Sequence, residues 1–155
     1  MSGMDDTIHT QTVRASNAPP KTRRVLLEDR FLSLLAAIPP DKRGGIIHGH
    51  RIIFSDSSSD AIFHAMAHAT KVTDPELVQK LSMYAFKGEI ILQSLIAPDT
   101  ELALCKNELE RECVKHRLGE LTTEIARNEK EKNSDQTAVL LHEFRELSEF
   151  LKRPA

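Results

Sequence analysis

The stretch from Asp99 to Arg153 constrains the fold more than any other part of the chain. Leu102, Cys105, Leu109, Cys113, Val114, Leu118, Leu121 and Ile125 recur mostly at intervals of three and four. Apolar residues so spaced form one stripe down a helix. Leu140, Leu141, Phe144, Leu147, Phe150 and Leu151 repeat the pattern beyond a polar run from Asn128 to Gln136. Two such stripes joined by a polar turn predict an antiparallel helical hairpin. The first helix, Asp99 to Glu131, spans about 50 Å, and the second, Asp135 to Lys152, about 27 Å. Paired at a common tip, the first overhangs by about 22 Å. The overhang is expected to act as a rigid spacer that holds the hairpin away from whatever precedes it.

Upstream, Val25 to Ile38 carries a broad apolar face of Val25, Leu26, Leu27, Phe31, Leu34, Leu35 and Ile38. Pro39-Pro40 is expected to stop this helix, because proline lacks an N–H and restricts its predecessor. Gly44-Gly45 reads as a turn, and Ile46 to Phe54 as a short helix or loop. Ser57-Ser58-Ser59-Asp60 is a helix-start signal, with side chains able to accept from free N–H groups, and predicts a helix over Ala61 to Thr70. Thr73-Asp74-Pro75-Glu76 is a stronger start, combining a cap, a first-turn proline and capping-box spacing. It predicts a helix from Glu76 to Phe86, followed by a second from Glu89 to Ala97 closed by Pro98. The fold class is therefore all-α. A small bundle over 24–98 precedes a long helix and C-terminal antiparallel hairpin over 99–155, and residues 1–23 read as an irregular linker or leader.

Composition supports this reading. Of 155 residues, 40% are hydrophobic and only 5% aromatic, with no Trp, which disfavours a strand-rich sandwich and a base-stacking surface. The net charge of −2 lacks the basic excess that a phosphate-neutralising surface needs, so no strong nucleic-acid binding is expected. No apolar run approaches the ~20 residues of a membrane span, and the N-terminus lacks signal-peptide order. Cys105 and Cys113, eight residues apart, stand about 12 Å apart on a helix and cannot pair there. Reduced thiols suit a cytoplasmic protein.

Among residues with chemical potential, His48, His50, His64 and His68 come nearest to a metal set. His64 and His68, at i and i+4, share one helix face. Ala65, Met66 and Ala67 stand between them, however, so the catalytic Glu of H-E-x-x-H is missing, and helix-surface and loop histidines are the expected reading. Cys113 has His116 nearby, but nothing indicates oxyanion donors, and buried thiols behave as small hydrophobes. The mixed charges from Lys106 to Arg117 read as a solvated helix face. No catalytic, cofactor-binding or metal-binding residue is assigned. Phe150 lies at the edge of the second helix's seam, either completing the hairpin core or serving as an exposed anchor.

Two segments carry a family resemblance: Leu118-Gly119-Glu120-Leu121-Thr122-Thr123-Glu124-Ile125-Ala126-Arg127, and Leu140-Leu141-His142-Glu143-Phe144-Arg145-Glu146-Leu147 beyond the polar tip. With the upstream order of helices, residues 24–153 resemble the C-terminal region of bacterial DnaG-type primases. The resemblance implies a helical bundle and hairpin that bind the N-terminal domain of the hexameric replicative helicase, bringing primer synthesis to the fork. The family's zinc module and acidic metal site have no counterpart here, so the chain would be the helicase-interaction part alone and no enzyme by itself. Carried over by position, the implied contacts are Arg127, Lys130 and Lys132 at the tip, and Arg145, Glu146, Glu149 and Phe150 on the last helix. The alternatives are a histidine-based metalloprotein, a coiled-coil adaptor, and the helicase's own N-terminal domain, which would be followed by a nucleotide-binding region.

Overall fold

The structure, a computed structural model, describes residues 21–153. The reading of the first 20 residues as an irregular leader lies outside them. Among the described residues the regular structure is all helical: α1 (Arg23–Ala37), α2 (Pro40–Ile47), α3 (Ser57–Ala67), α4 (Pro75–Ser94), α5 (Pro98–Lys130) and α6 (Ser134–Lys152). The starts follow local chemistry. The Thr22 hydroxyl accepts from the Val25 N–H, the Asp56 carboxylate from Ser59 and the Asp74 carboxylate from Glu76. Each satisfies an N–H that the first helical turn leaves free. Pro75 and Pro98 open α4 and α5, where a missing N–H costs nothing.

Pro39-Pro40 ends α1 at Ala37 as expected, and Pro40 also begins α2. Two upstream expectations are corrected. Gly44 and Gly45 lie inside α2 and not at a turn. The helices expected at 76–86 and 89–97 are one continuous α4 running through Gly88. A Cβ at Gly88 would collide with the Ser33 carbonyl of α1 and stand 2.7 Å from the Ala37 Cβ. The glycine there permits close helix packing and marks no break. The 46–54 segment, expected as a short helix or loop, is both: Ile46 and Ile47 finish α2, and residues 48–56 form an irregular connection. Within it Ile52 and Phe54 are buried while Arg51, Ile53 and Ser55 are exposed.

The main core gathers Phe31, Leu34 and Leu35 of α1, Ile62 and Phe63 of α3, Ile52 and Phe54 of the connection, and Tyr84 of α4. Phe63 is its aromatic centre. Its ring lies 6.2 Å from Phe31, 5.0 Å from Phe54 and 4.8 Å edge-on from His50, centroid to centroid. Full burial of each such side chain is worth about 1.5–3 kcal/mol.

The same core takes Leu102, Cys105, Leu109 and Cys113 from α5. The spacer reading of the long helix is thus corrected: its first half is a packed member of the bundle. Arg23 adds ion pairs at 3.0 Å to Glu108 and Glu112. Immediately beyond Cys113, α5 changes partner. Val114, Leu121, Leu140 and Leu147 form a second, separate core, flanked by Leu118, Ile125, Phe144, Phe150 and Leu151. This is the expected hairpin, α5 against α6. Its edge is closed by Arg117, whose guanidinium donates to both Glu143 carboxylate oxygens at 2.7 and 3.0 Å.

Candidate protein-docking surface

The residues expected to meet a partner fall at two places along the hairpin. At the tip, α5 ends when the Asn133 N–H donates to the Asn128 carbonyl at 2.9 Å. Lys132 takes a left-handed conformation, φ 59°, to make the turn. The Asn133 side chain then caps α6 by accepting from the Gln136 N–H. Asn128 is buried, and its side-chain amide donates to the Glu124 carbonyl at 2.8 Å. Around this rigid turn Arg127, Lys130 and Lys132 are exposed. A shallow cleft of about 420 Å³ runs beside them between Asn128, Lys132, Thr137 and Leu141.

The second group sits further along α6. Arg145, Glu146 and Glu149 are exposed, and the His142 Nε2 lies 3.0 Å from the Glu146 carboxylate. Ser134 to Arg145 is about 16 Å of helix, so the two groups are not one patch. Between them Val139, 61% exposed, is the apolar residue of the free face. That face thus runs Val139, His142, Arg145, Glu146 and Glu149, an apolar start with a mixed-charge continuation. Phe150 is half-buried against the hairpin core, and the Arg51 guanidinium covers its ring at 5.2 Å. Of the two alternatives raised from the sequence, this matches completion of the hairpin core and not an exposed anchor.

A further apolar surface escaped sequence reading. Met83, Phe86 and Ile90 of α4 are 52%, 65% and 53% exposed, and their spacing puts them on one face of the helix. The signal was present, but it emerges only when α4 is read as one helix across Gly88.

The histidines are dispersed. His48, His64 and His68 are exposed, His50 is half-buried against Phe63, and burial lowers its pKa from the ordinary value. The His64 and His68 rings stack at 6.2 Å, and His64 pairs with Asp60 at 3.4 Å. Among the described residues no group of three or more His, Cys, Asp or Glu side chains is placed to hold a metal ion. Both cysteines are buried in the bundle core and not in the hairpin core near whose stripe they were expected. Burial pushes the Cys105 thiol up to about 11 and raises Cys113, so both stay protonated and inert near neutrality. Among the described residues no helix is long and apolar enough to cross a membrane. No family model, curated protein or solved structure matches the chain.

Proposed function

We propose that this chain is the helicase-interaction domain of a bacterial DnaG-type primase. It would act in the cytoplasm by binding the N-terminal domain of the hexameric replicative helicase, without catalysing a reaction itself. The observation that carries this reading is the outward face of α6. Val139, His142, Arg145 and Glu149 are exposed, whereas the opposite face, through Leu140 and Leu147, is consumed in pairing with α5. A helix anchored on one side and charged on the other is suited to docking. The anchoring seam supplies rigidity, and the free charges set register and specificity through complementarity with the partner. The resemblance of the hairpin segments names that partner.

The test is a binding titration of the full chain with the helicase N-terminal domain. Exchanging charges by Arg145→Glu with Glu149→Arg leaves the Leu140–Leu147 seam intact, so a folded hairpin is retained. Binding is expected to weaken by roughly tenfold or more, as for truncation of well-placed interface charges. Equal binding by wild type and the exchanged variant defeats the role of this face. No binding by either defeats the helicase reading as a whole.

A further inference from the structure

The bundle and hairpin cores adjoin along α5, where Cys113 belongs to one and Val114 to the other. A cleft of about 360 Å³ separates the 48–56 connection from α6 at this level, with Ile53 and His50 on one wall and Glu143 and Leu147 on the other. The connection has few hydrogen bonds of its own and is held from outside. The buried Glu110 accepts from the Arg51 N–H at 2.7 Å, and the buried Glu28 accepts from the Ser55 N–H and hydroxyl. The Ile53 carbonyl accepts from the Arg24 guanidinium and from the Cys113 thiol.

Two arginines reach from the bundle side to the end of α6. Arg51, its backbone fixed by Glu110, lays its guanidinium on the Phe150 ring at 5.2 Å. Arg111, next to Glu110 in α5, donates to the Leu151 carbonyl at 2.9 Å and the Arg153 carbonyl at 3.3 Å. The final carbonyls of a helix have no intrahelical donor, so an arginine there both satisfies and positions them. Between the connection and the last turn of α6, the contact of Arg51 with Phe150 is thus a cation on a ring.

We propose that the last turn of α6 and the 48–56 connection form one reversible latch, joined by Arg51 on Phe150, which closes the hairpin onto the bundle and couples the opening of the two segments. The latch rests on this geometry alone and is independent of the helicase reading. A cation–π contact at an exposed site shifts a local equilibrium by about two- to five-fold. Closure of this strength is weak enough to open under native conditions, yet strong enough for one segment to protect the other.

Hydrogen exchange on the full chain tests the coupling. Arg51→Ala is expected to speed exchange of the amides of residues 149–153 by about two- to five-fold. Phe150→Leu, which keeps apolar bulk in the seam and loses the aromatic face, is expected to do the same for residues 51–55. Arg51→Lys retains a cation and should preserve most of the protection. The double variant Arg51→Ala with Phe150→Leu should raise exchange no further than either single change. The latch is overturned by effects confined to the mutated segment, by no rise at all, by multiplicative effects in the double variant, or by an equal rise at the α1 core amides of Phe31 to Leu35.

Discussion

Gly88 and Gly119 both lie inside continuous helices, and their surroundings give them opposite weights. A methyl group at Gly88 would meet Ser33 and Ala37, whereas one at Gly119 meets nothing within 4 Å. Gly88→Ala should therefore force α1 and α4 apart at a cost of about 1–3 kcal/mol or more. Gly119→Ala should stabilise the exposed helix by about 0.5–1 kcal/mol. Urea denaturation of the two variants checks this opposition. At the same scale, the Arg117 guanidinium holds the Glu143 carboxyl below its ordinary value of 4.5. The unfolded chain then binds the proton more readily, so stability rises with pH through this range. The contribution is complete above about 4.5 and fades as pH falls through the lower, folded value; the pair is partly exposed, so its size is modest. Glu143→Gln should be the less stable protein at pH 7, with its deficit closing below about pH 4.5, as thermal melts across pH will show. Wherever the decisive neighbour is remote in sequence, as Ser33 is from Gly88, the residue alone carries no sign of its role.

At the scale of elements, legibility followed how local the stabilising chemistry is. The ends of α5 and α6 agree with the sequence reading to within a residue, because Pro98 and the polar run from Asn128 mark them in the chain itself. Asp74 and Pro75 likewise announce α4. The segment from Ile46 to Phe54 reads two ways from the sequence because the groups that fix its irregular part, Glu28 and Glu110, lie in α1 and α5. The free face of α6 could be drawn from periodicity. The Arg51 cover on Phe150 could not, since it joins residues 99 positions apart that only the folded chain brings together. The placement of α5 has a direct consequence for dissection. Residues 24–98 read as a bundle, but that bundle's core includes Leu102, Cys105 and Leu109. A chain ending at Pro98 loses all three apolar plugs and should fail to show a cooperative melt, whereas one ending near Gly119 should retain it. Near-ultraviolet circular dichroism and thermal unfolding of the two truncations distinguish these outcomes.

Taken as a whole, the molecule is two apolar clusters threaded on one rod. The larger contains all of the buried phenylalanines, and the smaller rests on Val114, Leu121, Leu140 and Leu147. The exposed ridge of Met83, Phe86 and Ile90 belongs to the first, while the proposed helicase-facing charges belong to the second. The two surfaces are therefore carried by different parts of the body.

Because neighbouring residues of α5 serve different clusters, this helix works as an indexing shaft. Each residue advances the azimuth by about 100° and the height by about 1.5 Å. One residue inserted between Lys115 and Leu118 would turn the hairpin seam by about 100° against the bundle and tear Arg51 from Phe150. Seven would restore the azimuth to within about 20° while lifting the hairpin by about 10 Å, which parts Arg51 from Phe150 as well but keeps the seam facing the same way. The single insertion should lower the melting temperature more than the sevenfold one does, so that spacing along this shaft is tolerated in whole double turns and resisted in between.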